Sequence, residues 1–250
     1  MSISFDANWK TEIQKPQEKI DSFLLIGQSN MAGRGLLEDA LEINKERLNV
    51  LRMGRWQKLF RPVNPDRRSS GVCLAESFAE AYAREHEDVE VGLIPCADGG
   101  TTISQWLPGE LNYDHALMQA KLAMRTSRLT AILWHQGESD CIRDEDVAAY
   151  RGRFHQVITS LRRDLGRPDL PVIIGQLHQD IGENWKTQGR EKQLNAILND
   201  LVRELPYCAI ASSQGLTVKP DGIHFDSASC RDFGKRYFQA MQGQLGIANY

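Results

Sequence analysis

The chain has too few cysteines, too widely scattered, for a disulfide or zinc framework. Five stand in 250 residues (Cys73, Cys96, Cys141, Cys208, Cys230), an odd number with no Cys-x-x-Cys pair, and this suits a reducing compartment. Positive charge is not in excess either, since 30 Lys plus Arg against 33 Asp plus Glu leave a formal net charge of −3. Without a basic field to hold a phosphate backbone, nucleic acid is not an expected partner. Long apolar runs are missing: Phe23-Leu24-Leu25-Ile26 and Ala131-Ile132-Leu133-Trp134 fall far short of the roughly 18 residues of a membrane span. The opening Met1-Ser2-Ile3-Ser4-Phe5-Asp6 lacks the basic and apolar regions of a secretory signal, so a cytoplasmic location is expected. No repeat, low-complexity tract or Pro/Ser linker marks a boundary. The expectation is one domain over 1–250, with the patternless residues 1–20 as an N-terminal arm.

What is present is alternation. Short apolar runs at Ser22 to Ile26, Val50 to Met53, Val89 to Pro95, Thr130 to His135, Pro171 to Leu177 and Tyr207 to Ser212 read as strands, several apolar on both faces as a buried parallel sheet requires. Between them, Leu74 to His86, Tyr113 to Arg125, Asp144 to Leu165, Arg190 to Leu205 and Ser229 to Leu245 carry apolar residues at helical spacing. This pattern predicts a three-layer αβα domain with a mostly parallel sheet of five or six strands. Gly33 to Asn49 and Gly54 to Gly71 read as long loops. In such sheets ligands bind outside the carboxyl ends of the strands, so chemistry is sought in the residues that follow each strand.

Four such segments are polar or glycine-rich. Gly27-Gln28-Ser29-Asn30-Met31 turns sharply with a serine at its crest, a nucleophile or simply a helix cap. Asp98-Gly99-Gly100 offers N–H groups to an anion, or is a plain loop. His135-Gln136-Gly137-Glu138-Ser139-Asp140 places many hydrogen-bonding groups at a sheet edge; His135 and Glu138 lack the further ligands that a metal site needs. Asp221-Gly222-Ile223-His224 can fold back so that the carboxylate meets the imidazole and fixes its tautomer. In this order the four segments supply the parts of a serine hydrolase.

Together these segments, with Trp106 after the glycine pair, resemble the SGNH hydrolase superfamily and, more narrowly, the carbohydrate acetylesterases of family 6 and the sialate O-acetylesterases. The resemblance implies a flavodoxin-like sheet of about five parallel strands. It implies Ser29 as nucleophile, His224 as general base and then acid, and Asp221 as the residue that orients it. An oxyanion hole would comprise the Ser29 and Gly100 N–H groups with the Gln136 side chain. Some members use the glutamate of the His-Gln-Gly-Glu motif as the third triad residue, so Glu138 competes with Asp221. The implied activity is hydrolysis of a short acyl ester, an O-acetyl group on a sugar of the acetylxylan or O-acetyl sialic acid type, with no metal or organic cofactor. Its partner would be a small-molecule or oligosaccharide acetyl ester. A lysophospholipase or thioesterase of the same superfamily, and an inactive carbohydrate-binding relative, are the rival readings. Trp56, Trp106 and Trp185 are candidates either to stack on a sugar ring or to fill the core.

Overall fold

The structure is a computed structural model that describes residues 19–245. The expected arm lies outside these residues apart from its last two, and Ile20 already opens the first strand. Seven strands, β1 (Ile20–Gly27), β2 (Leu48–Arg52), β3 (Arg55–Lys58), β4 (Glu90–Pro95), β5 (Arg128–His135), β6 (Val172–Gly175) and β7 (Cys208–Ala211), form one sheet in the order β3-β2-β4-β1-β5-β6-β7. All neighbours run parallel except β2 and β3. Among the described residues six α-helices accompany the sheet: α1 (Ser29–Ala32), α2 (Leu74–Glu85), α3 (Leu111–Ala123), α4 (Asp144–Asp164), α5 (Arg190–Glu204) and α6 (Ser227–Leu245).

Side chains alternate across the strands, and this builds two cores. Leu24 and Ile26 of β1 pack with Trp134 and the apolar faces of α3, α4 and α5. Phe23 and Leu25 pack on the opposite face with Phe78 of α2 and Phe233 and Tyr237 of α6. Every residue of β1 is buried, which explains its continuous apolar run after Ser22.

The expected αβα architecture is present, and each of the six strands read from the sequence is found. The strand count is corrected to seven. The additional strand, β3, lies in the stretch read as the loop Gly54 to Gly71. Its residues Arg55-Trp56-Gln57-Lys58 bury only Trp56, so no apolar run announces it. It is an antiparallel edge strand joined to β2 by Met53 and Gly54, both at positive φ (50° and 74°), as a two-residue hairpin turn demands. Its exposed Lys58 guards the sheet edge.

Register sets the site. Gly27 pairs with His135 across β1 and β5, and Leu25 pairs with Pro95 across β1 and β4. Three segments remote in sequence therefore leave the sheet side by side. Gly27 must be glycine: its φ is +147°, and a Cβ there would lie 1.9 Å from the His135 carbonyl oxygen.

Two helix glycines separate space from propensity. A Cβ on Gly234 in α6 would fall 2.1 Å from the Leu74 carbonyl of α2, whereas one on Gly152 in α4 meets nothing within 4 Å. Gly234→Ala is expected to cost about 1–3 kcal/mol through overpacking. Gly152→Ala should stabilise by about 0.5–1 kcal/mol. Urea denaturation of both variants checks the opposite signs.

Candidate active site

β1 ends at Gly27, and Ser29 begins the four-residue helix α1, all of it buried. The loop before α6 carries Asp221 and His224. One carboxylate oxygen of Asp221, Oδ1, accepts the backbone N–H groups of Ile223 (3.1 Å) and His224 (3.0 Å). The other, Oδ2, lies 2.9 Å from His224 Nδ1. A single carboxylate thus folds the loop and holds the ring, and Gly222 at φ +76° lets the chain double back between them. With Nδ1 donating to Asp221, Nε2 is left as an acceptor, 3.0 Å from Ser29 Oγ. Partial burial acts to raise the Asp221 carboxyl, but the bonds from His224 and Ile223 outweigh it and hold it below the usual range.

Glu138 makes no hydrogen bond or ion pair with His224. Its Oε1 lies 3.0 Å from His135 Nε2 and accepts from Asn30 Nδ2 at 2.6 Å. Burial works to raise its carboxyl, while the His135 ring and the Asn30 amide hold it lower. Asn30 then spans to the His224 loop, donating to the Ile223 carbonyl (3.1 Å) and accepting from the Phe225 N–H (3.1 Å). The residue beside Ser29 grips the backbone on either side of His224.

Gln136 departs from the oxyanion-hole expectation. It is fully buried, and its amide donates to Asp140 Oδ2 (2.6 Å) and to the Thr101 carbonyl (3.0 Å). An amide has two N–H donors, so both are engaged away from Ser29. The Ser29 and Gly100 N–H groups, in contrast, meet no protein acceptor among the described residues, and both residues line one cavity.

That cavity, of about 250 Å³, is bounded by Ser29, Gly100, His224, Glu138, Ile142 and Trp185. Arg34 and Arg67 also reach it, each already tied to an acid. Arg34 makes a two-pronged pair with Asp66 (2.9 and 2.7 Å), and Arg67 lies 2.8 Å from Asp98. Of the three tryptophans in question, Trp56 and Trp106 are core residues, while Trp185 is 38% exposed. Trp185 packs edge-on to His224 with ring centroids 5.9 Å apart and donates to the Asp221 carbonyl at 2.7 Å. All five cysteines are buried, and burial raises every thiol, which leaves none of them a reactive thiolate.

In the sequence Gln28 and Asn30 stand only as members of the Gly-Gln-Ser-Asn-Met motif. Gln28 Oε1 accepts from the Gly137 and Ser139 N–H groups, both at 3.3 Å, and so braces the turn that carries Glu138. The available signal was three polar residues in a row after a buried strand. Groups so placed must find partners inside the protein.

Asp140 supplies a pH test of this network. Burial pushes its carboxyl up to about 7, against the lowering bond from Gln136. Between about pH 4 and this value the folded state holds the proton more tightly than the unfolded chain does. The stability of the wild type relative to Asp140→Asn is therefore expected to fall as pH rises from about 4 to about 7, and to level off above. Urea denaturation across that range measures the slope.

A family model described as carbohydrate esterase, sialic acid-specific acetylesterase, matches residues 19–243. The chain is 30% identical over 252 residues to a probable carbohydrate esterase of Arabidopsis thaliana, covering 92% of this chain and 94% of that one. An X-ray structure of an Arabidopsis thaliana protein is similar with a TM-score of 0.82 at 26% identity, over 93% of this chain and all of that one (100%). A carbohydrate acetylesterase from Sinorhizobium meliloti shares the fold, with a TM-score of 0.56 at 14% identity over 91% of this chain and 99% of its own. The matched span contains all four strand-end segments, and on that match the chain belongs to the carbohydrate esterase family of sialic acid-specific acetylesterases and is a carboxylic ester hydrolase.

Proposed function

We propose that the protein removes O-acetyl groups from carbohydrates through an acyl-enzyme on Ser29. The observation that carries this reading is the unbroken line from Asp221 Oδ2 to His224 Nδ1 (2.9 Å) and from His224 Nε2 to Ser29 Oγ (3.0 Å). As Ser29 Oγ bonds to the acetyl carbonyl carbon, its proton passes to His224 Nε2. Asp221 keeps the ring in the right tautomer and steadies the imidazolium. The carbonyl oxygen, now negative, collects the Ser29 and Gly100 N–H groups. Collapse breaks the ester bond, and the departing sugar oxygen takes the proton from His224. Water, activated by the same imidazole, then releases acetate. Gln136 is a positioning residue that holds Asp140 and the Thr101 loop behind the glycine pair.

Charge favours a neutral sugar over an anionic one such as a sialic acid. Both guanidinium groups at the cavity are neutralised, by Asp66 and Asp98, while Glu138 adds a buried carboxylate to the wall. Among the described residues no unpaired Arg or Lys lines the cavity for a substrate carboxylate, which would be repelled at short range.

Ser29→Ala is expected to lower kcat on 4-nitrophenyl acetate by about 10⁴–10⁶ with folding retained. Asp221→Asn should cost about 10⁴, because an amide favours the wrong imidazole tautomer. Asn30→Ala and Glu138→Gln act only through the placement of His224 and should cost about 10². A Glu138→Gln loss exceeding that of Asp221→Asn would make Glu138 the triad acid. Steady-state kinetics with circular dichroism as a folding check decides the order.

Chain length tests the cavity. At about 250 Å³ it has room for a short acyl group, and its large apolar lining consists of Ile142, Trp185 and Ile223. Octanoyl esters should be hydrolysed at least roughly tenfold more slowly than acetyl esters, since a mismatched pocket discriminates by about 1–3 kcal/mol per methylene. Equal rates would support a lysophospholipase or thioesterase activity instead.

A further inference from the structure

A second hollow, of about 490 Å³, lies beside the catalytic cavity and is larger than it. It opens at the carboxyl ends of β2 and β4, on the same rim of the sheet as Ser29. The two share a wall. Asp98 lines the second hollow while its chain neighbours Gly99 and Gly100 line the catalytic cavity, and Arg67 reaches across from the cavity to pair with Asp98 at 2.8 Å. Asp66, in the second hollow, accepts the Gly99 N–H at 2.8 Å. A ligand seated at Ser29 need cross only this partition to enter.

The far wall is one face of α3. Asn112, His115 and Gln119 recur at spacings of three and four, so they stand in a row along the helix. All three line the hollow, and among the described residues none of their side chains has a hydrogen-bond partner in the protein. Polar side chains in a row, with nothing to bind within the chain, suit a ligand rich in hydroxyl groups. Exposed apolar surface flanks them, with Met53 95% and Leu111 82% accessible, enough to cover the carbon face of a ring. The acids present are already spent: Asp66 is tied to Arg34 and Asp98 to Arg67. Arg52 lies over the Phe60 ring and donates to the Pro62 and Val63 carbonyls. The volume falls in the range of small-molecule sites.

We propose that this hollow is a second sugar subsite, which holds an uncharged pyranose unit adjoining the acetylated one, so that the natural substrate is an oligosaccharide acetate. The proposal rests on the carbohydrate esterase reading above. Asn112, His115 and Gln119 bind ring hydroxyls, Met53 and Leu111 pack on the ring face, and the Arg67–Asp98 pair separates the two units. Binding energy from the remote unit holds the ester against Ser29.

The test compares mono-acetylated xylose with mono-acetylated xylotetraose. Wild type is expected to show kcat/KM about tenfold higher on the tetramer, the equivalent of one to two net hydrogen bonds. Replacing Asn112, His115 and Gln119 together by alanine should bring the ratio close to one, with 4-nitrophenyl acetate and acetylated xylose rates and the melting temperature unchanged. Calorimetry with unacetylated xylotetraose gives a readout independent of turnover: binding to wild type, lost in the triple variant. Equal rates on the two sugars in wild type, or a length preference and binding that survive the triple substitution, would overturn the subsite. Failure to release acetate from either sugar, with xylotetraose still bound, would instead count against the carbohydrate esterase reading and leave the subsite standing.

Discussion

The Asn30 side chain is the joint on which the site depends. It is buried beside Ser29, accepts the Phe225 N–H, and donates to the Ile223 carbonyl and to Glu138. Ser29 and His224 are 195 residues apart in sequence, and nothing in the local chain holds them together. The Asn30 amide does so by fixing the backbone on both sides of His224, so that the imidazole meets Ser29 Oγ without a search. Buried amides of this kind are costly unless all their bonds are made. Here each partner is supplied, and Glu138 fixes which way the amide faces.

This arrangement gives the two candidate acids different work. Asp221 holds the ring itself and folds its own loop. Glu138, paired with the buried His135 ring, holds the residue that holds the loop. On the proposed mechanism, a carboxylate at the Glu138 position therefore matters to catalysis without being a member of the triad. The same logic applies to Gln28 and Gln136, which brace the turns behind Ser29 and the glycine pair. A shell of buried polar side chains sits beneath the cavity, and the parallel sheet brings it together by ending three strands at one rim.

Much of this was legible in the sequence. Continuous apolar runs bounded by turns fixed the order of strands and helices, because strands buried on both faces leave no polar residues to obscure them. The contact between Asp221 and His224 was legible because both stand in one short motif whose geometry is local. β3 was not, since a half-buried edge strand has one apolar residue to show. The direction of the Gln136 amide was not either. It is decided by Asp140 and Thr101, contacts made only after β4, β5 and the loop after Gly100 have assembled. The grip of Asn30 on the His224 loop is likewise a long-range property, carried by a residue whose type alone says only that it must be hydrogen-bonded.

Covalent trapping tests the coupling of Ser29 to His224 most directly. Wild-type protein is treated with a fluorophosphonate, which captures an activated serine hydroxyl, then digested and sequenced by mass spectrometry. Modification at Ser29 in step with loss of esterase activity, and its disappearance in His224→Ala, is the predicted result. Loss of activity with the label on another residue, or unchanged labelling of Ser29 in His224→Ala, would contradict it.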